Sequence, residues 1–189
     1  MRALLLAATC SLGCGRGDPD DGGRPPGRAW SALGAARDGG VAVDGGRPPS
    51  CADPVAGVWL AKTFAATITR WHVHRVTITR DAAGLHASQL THVWDGSSSD
   101  ALPGRCAEGW AWGEIEMAAE VELRGTALWV WGTEIVREEA WCGANVGTYH
   151  LDRFTGAVVG DLWESVNNDG NAALDRPYRF RRIACLDGP

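Results

Sequence analysis

The stretch from Met117 to Trp131, MAAEVELRGTALWVW, decides the fold class. Apolar and polar residues alternate on both sides of Arg124-Gly125. Successive side chains of a strand point to opposite faces, so this alternation is that of a half-buried β-strand. One face carries Met117, Ala119, Val121, Leu123, Leu128 and Val130. The other carries Glu120, Glu122, Trp129 and Trp131, and extends back through Glu116, Glu114, Trp112 and Trp110. A tight turn at Arg124-Gly125 folds the two halves into a hairpin, with Leu123 expected opposite Thr126 and Glu120 opposite Trp129. The aliphatic face is the natural core.

The same pattern continues outward. Strands are expected near 57–62, 66–79, 85–94, 110–123, 126–136, 146–153, 157–166 and 178–184, where β-branched and aromatic residues alternate between Gly and Asn/Asp punctuation. Turns are expected at Asp81–Gly84 and Thr155-Gly156, with a longer loop at Asn167–Pro177. No stretch has helical periodicity. The fold class is therefore all-β, with about eight antiparallel strands in an up-and-down β-barrel or, alternatively, a two-sheet β-sandwich. Closure is attractive because it removes unpaired edges.

The residues before this domain are of two other kinds. Met1 to Gly13 holds one positive charge, Arg2, and a short apolar run, Ala3 to Ala8. The run is too short to span a bilayer, which takes roughly 20 apolar residues, and suits a signal peptide. Ser11-Leu12-Gly13-Cys14 follows and resembles the lipobox of bacterial lipoproteins. Ser11 departs from the Leu usual there. The resemblance implies cleavage before Cys14, lipidation of its thiol, and a stable membrane anchor of several acyl chains. Gly15 after Cys14, rather than Asp, implies the outer membrane of a Gram-negative cell. From Gly15 to Ser50, ten Gly and five Pro in 36 residues leave no apolar periodicity, and DGGRPP occurs at both 21–26 and 44–49. That composition cannot offset the entropy of ordering, so residues 14–50 read as a flexible tether. The expected organisation is a signal peptide at 1–13, a tether at 14–50 and a β-domain at 51–189.

Four of the six cysteines lie in the domain: Cys51, Cys106, Cys142 and Cys185. An exported domain with an even number of cysteines reads as disulfide-bonded. Three pairings are open. Cys51–Cys185 with Cys106–Cys142 is favoured, because the first and last strands of a closed barrel or sandwich lie side by side. Gly57-Val58-Trp59 opens the first strand and resembles the Gly-x-Trp start of lipocalin and avidin-like (calycin) barrels. The resemblance implies a basic residue of the last strand packed over that Trp, at Arg179, Arg181 or Arg182. Gly147-Thr148-Tyr149 loosely resembles a second lipocalin motif.

Three constellations are candidates for function. Nine of the ten Trp lie in the domain. Trp110, Trp112, Trp129 and Trp131, mixed with Glu114 and Glu120 on one face, suit sugar stacking or cation recognition. Otherwise they cover the outer sheet, or enter the core after a bulge at Gly113. His72 and His74 form an H-x-H pair on the core-facing side of a strand, a spacing that places two imidazoles on one zinc or copper ion. His92 completes the set if the hairpin at Gly84 is bulged, and faces away if the loop has four residues; otherwise the pair is structural. The oxygen-rich loop Asn167-Asn168-Asp169-Gly170-Asn171, with Asp175, is a calcium candidate or a plain turn. Arg176 at the last ligand position favours the turn.

The net charge of −5 and the absence of a basic stripe argue against nucleic acid. No G-x-S-x-G, H-E-x-x-H or phosphate-loop pattern occurs, so the expectation leans away from an enzyme. The expected function is a membrane-tethered extracytoplasmic lipoprotein without a cofactor. It binds a small or extended ligand, such as a glycan, in a barrel cavity or on the Trp-rich face. The alternatives are an interaction module contacting another envelope protein, and a metal-binding protein using the H-x-H pair.

Overall fold

A computed structural model describes residues 51–66, 68–95, 106, 110–171 and 173–186. The signal, Cys14 and tether expectations lie outside the described residues. The alternation noted above produces eight strands: β1 (Gly57–Ala65), β2 (Arg70–Asp81), β3 (Gly84–Asp95), β4 (Trp112–Arg124), β5 (Ala127–Trp141), β6 (Arg153–Val159), β7 (Leu162–Asn167) and β8 (Arg176–Ala184). Each pairs antiparallel with the next, and β1 pairs with β8, closing an up-and-down barrel. No helix occurs among the described residues. The sandwich alternative falls, and the barrel is compatible with a calycin-like fold.

Face assignments follow the sequence, and pairings differ in detail. Met117, Leu128 and Val130 are fully buried inside, with Ala119, Val121 and Leu123 packed against the core that holds Leu128 and Val130. The β4–β5 turn is Gly125-Thr126, so Leu123 lies opposite Leu128, and Glu120 opposite Trp131 rather than Trp129. The bulges fall at Glu116/Met117 and Ala118/Ala119, not at Gly113. Charged residues such as Arg75, Glu116 and Arg179 lie on the outside. This apolar-in, polar-out arrangement is the reverse of a transmembrane barrel.

The expected strand at 146–153 does not form, and the expected strand at 157–166 is instead a hairpin, β6–β7, turning at Gly160-Asp161. Thr155-Gly156 is not a turn but lies inside β6. A Cβ on Gly156 would stand 1.8 Å from the Glu164 carbonyl oxygen, so this glycine permits close approach of the β7 backbone. Val146, Tyr149 and Leu151 pack with Val93, Ile115 and Met117, so residues 142–152 fold inward at one end of the barrel.

At the other end Arg182 takes the place the calycin resemblance implied. Its guanidinium lies 4.7 Å from the Trp59 ring and pairs with Asp161 at 2.9 Å. It donates to the carbonyls of Asp53, Ala56, Pro54 and Gly160 at 2.7, 3.2, 3.0 and 3.1 Å. A Cβ on Gly57 would stand 2.7 Å from the Arg182 side chain, which explains the Gly of Gly-x-Trp. The Trp59 indole donates to the Val55 carbonyl at 2.8 Å. Cys51–Cys185 joins the chain just outside these strands, and Cys106–Cys142 forms the second disulfide, the favoured pairing.

Arg182→Lys keeps the charge but loses the planar fork that serves four carbonyls at once. The expected cost is about 3 kcal/mol, roughly a 10 °C fall in Tm, measured by near-ultraviolet circular dichroism. An unchanged Tm would remove Arg182 as the closure of the barrel.

Candidate functional site

The interior is packed with aromatic rings. Trp59, Phe154, Trp163 and Phe180 are fully buried. Trp163 stacks on Phe180 at 4.6 Å, and Phe154 meets Phe180 edge-on at 4.9 Å. The even-numbered residues of β2 face inward, and His74 is buried near this layer, edge-on to Phe154 and Tyr178.

His74 belongs to a polar cluster built on Asp152, an acid that sequence reasoning missed. Its Nδ1 lies 3.1 Å from Thr91 Oγ1 and 3.4 Å from an Asp152 carboxylate oxygen. Asp152 accepts from the Asn167 amide at 2.6 Å and the Tyr149 hydroxyl at 2.9 Å. Burial pushes its carboxyl up, but the His74 interaction and the Asn167 and Tyr149 hydrogen bonds outweigh that, and the net direction is down. Burial, reinforced by the Asp152 charge, raises the Tyr149 phenol well above its ordinary value. Asp152 is thus a fully engaged carboxylate holding the inward-folded segment to β2, β3 and β7. Tyr149, part of the loosely lipocalin-like triplet, is one of its donors.

His72 stacks on His74, with ring centres 6.2 Å apart. Burial, then the neighbouring His74 and Arg176 charges, lower its pKa to about 3. His92 does not join the pair. The β2–β3 turn has two residues, so His72 lies opposite Val93 and His92 opposite Val73, on the outer face. There His92 contacts Glu114 at 3.1 Å. Arg137 pairs with Glu114 at 2.6 Å, Glu116 at 3.1 Å and Glu139 at 3.1 Å. Glu114 is therefore a member of an ion-pair network. Burial raises its pKa, but Arg137 and His92 prevail and lower it. Among the described residues no group of three or more His, Cys, Asp or Glu is placed to hold a metal ion.

The calcium candidates also separate. Asn167 is buried in the barrel. Asp169 accepts from the backbone of Asn171 at 2.7 Å and Ala173 at 2.9 Å, and Asn168 accepts from Gly170. The loop's side-chain oxygens organise its own turn.

The four Trp fall in three places. Trp112 belongs to a row running directly across five strands on the outside, Phe64–Trp71–Trp94–Trp112–Trp141, every neighbour a cross-strand partner. Successive ring centres from Phe64 to Trp112 are 5.1, 6.0 and 5.8 Å apart. Trp112 is only 5% exposed, so it packs rather than presents a surface. Trp110 lies just before β4, half-buried. Trp129 and Trp131 are half-buried on the outer face, opposite Glu122 and Glu120. On their other side stand Thr155 and Arg153 of β6. The Arg124 guanidinium lies 5.6 Å from the Trp129 ring. Eight residues separate Trp112 from Glu120 along β4, about 26 Å.

The candidate surface is therefore Trp129 and Trp131 with Glu120, Glu122 and the β6 residues. It joins two indole faces to a fringe of carboxylates and a guanidinium, with the Thr155 hydroxyl buried beneath and accepting the Trp131 indole N–H at 3.5 Å. The chain matches no protein family model, no curated protein and no solved structure.

His72 yields a pH prediction. It is neutral in the fold and binds a proton once unfolded below about pH 6.5, so the unfolded chain is favoured as pH falls from 6.5 towards about 3. The ceiling is about 1.4 kcal/mol per pH unit for a fully desolvated group, and His72 keeps some solvent contact, so a smaller slope is expected. Asp152, with its lowered carboxyl, adds loss of stability in the same direction below pH 3.8. In His72→Gln the Tm should fall less between pH 6.5 and 4.5 than in the wild type. Equal slopes would refute the neutral, buried histidine.

Proposed function

We propose that this chain is a lipid-anchored extracytoplasmic barrel that binds an extended glycan on its outer β4–β5–β6 face. It works by recognition, not by catalysis. The observation that carries this reading is the pairing of half-buried indoles with carboxylates, Trp129 with Glu122 and Trp131 with Glu120, on the outside of a barrel filled by its own rings. The filled interior favours the face over a cavity as the place of binding. Sugar rings present C–H faces to indoles, and their hydroxyls need donors and acceptors at the ring edge. Glu120 and Arg153 supply these beside Trp131, whose own indole N–H is turned to the buried Thr155 hydroxyl at 3.5 Å.

The lipobox-like Ser11-Leu12-Gly13-Cys14 supports the anchor, and the two disulfides suit an oxidising compartment. The tether would hold the barrel away from the bilayer, and a Gram-negative outer membrane is the proposed address.

Affinity electrophoresis through gels containing soluble polysaccharides, peptidoglycan fragments among them, tests the face. A retarding glycan should lose its effect by tenfold or more on the double variant Trp129→Ala, Trp131→Ala, and keep it on Trp110→Ala. Retardation that survives the double variant would overturn the assignment. Cys14→Ala should move the protein from the membrane fraction to the soluble one; retention in the membrane would refute the anchor.

A further inference from the structure

The seam between β3 and β4 is incomplete. Their ladder runs from Trp94 opposite Trp112 to Ala87 opposite Ala119 and stops there. β3 continues to Gly84 in register with β2, and β4 continues to Arg124 in register with β5. Gly84 to His86 and Glu120 to Arg124 thus have no ladder partner across the seam.

The cause lies in β5. Its second bulge is opposite Ala118/Ala119, where the β3–β4 ladder ends. A bulge bends a strand and sharpens its twist, which turns the β4–β5 hairpin away from β3. A groove of about 480 Å³ opens between the two hairpins. Leu85, Ala87, Ala119 and Val121 line it together with Glu120, Glu122 and His86, the last already paired with Asp81 at 3.0 Å.

The hairpin turn fixes which backbone groups face the groove. Gly125, at φ +60°, leads the two-residue turn, and the flanking pair of such a turn, Arg124 and Ala127, bonds in both directions. Bonded pairs alternate along an antiparallel ladder, so Glu122 and Glu120 also point their amides and carbonyls at β5. Val121 and Leu123 point theirs at the groove. A strand edge with unpaired amides and carbonyls is a template for another strand.

We propose that this groove takes an extended peptide segment of a partner protein, added as a strand along β4, with alternating apolar and basic residues. Alternation sets the chemistry. Side chains of the added strand that point inward meet Leu85, Val121 and Leu123, which already pack on the core. Those that point outward meet Glu120 and Glu122. Glu122 is held by Arg124 in an exposed pair at 2.6 Å, which a cationic side chain of the partner can replace at little cost. The proposal is independent of glycan binding, although both use the edge of β4.

The probe is the synthetic peptide acetyl-KVRVKV-amide, titrated into the full chain and read by amide hydrogen exchange and nuclear magnetic resonance. The Val121, Leu123 and Leu85 amides should gain protection, with at least a tenfold slowing. The exposed double variant Glu120→Lys, Glu122→Lys should weaken binding tenfold or more while leaving Tm and circular dichroism unchanged. Trp129→Ala, Trp131→Ala should leave peptide binding intact, which separates failure here from failure of the glycan reading. Equal binding of acetyl-EVEVEV-amide would overturn the proposal, as would no protection at millimolar peptide. Protection of these amides in the chain alone would do the same: if concentration-dependent it assigns the groove to a second copy, otherwise to the chain's own residues.

Discussion

The contact of Arg182 with Trp59 carries the closure of the barrel. β1 and β8 share only three register pairs, with an irregularity between Val58 and Trp59. A seam that short is a weak joint by backbone bonding alone. Arg182 reinforces it from the inside, spreading one guanidinium over four carbonyls, the Asp161 carboxylate and an indole face. The buried charge is tolerated because its donors are so widely used. The Cys51–Cys185 disulfide sits just beyond the same joint and limits how far the ends can separate on unfolding. Gly57 and Trp59 are thus two parts of one device, one making room for the arginine and the other stacking against it.

At the opposite end a different chemistry does the corresponding work. There the segment before β6 enters the barrel and is held by Asp152 rather than by a cation. His74, Thr91, Tyr149 and Asn167 come from four separate parts of the chain and meet at one carboxylate. Such a network stabilises through the members that are satisfied: the Asp152 carboxylate is, whereas the buried His74 Nε2 has no hydrogen-bond partner among the described residues. It also occupies the end of the barrel where His72 and His74 would otherwise face open space. The H-x-H pair therefore sits in a packed wall, with one ring stacked on the other.

Much of the barrel was legible because its signal is local. Alternation in MAAEVEL and TALWVW depends only on which residues sit two apart, and it set the faces of β4 and β5 correctly. The cysteine pairing followed from adjacency of the chain ends. The reading of 146–153 as a strand was mistaken because Val146, Tyr149 and Leu151 are apolar for a different reason: they are buried as an inward-folded segment. Gly156 looked like a turn because a glycine needed for close strand approach is indistinguishable, in sequence, from one needed for bending. His92 and the aromatic row were hidden by register. Whether His72 meets His92 or Val93 turns on a single residue in the β2–β3 turn, and Phe64, Trp71, Trp94, Trp112 and Trp141 align only once four registers are known. Asp152 offered no pattern at all, since its partners are brought together only by closure.

The aromatic row and the two bulges in β5 together explain why the Trp129–Trp131 surface is where it is. The row fixes the registers of β1 to β5 at one end of the barrel, with Trp71, Trp94 and Trp112 stacked in succession and Phe64 tilted against Trp71 outside the wall. Below it, β5 inserts an extra residue twice. Each insertion reverses the inward-outward phase, so two of them restore it. Trp129 and Trp131 consequently return to the same outer face as Trp141 and Trp112, and Val130 and Leu128 return to the core. A single bulge would have driven the indoles inward and turned the aliphatic side chains to solvent. The second bulge is thus required by the core, and bending β4 away from β3 is its geometric consequence. The half-buried indoles and the open seam beside them arise from one structural compromise.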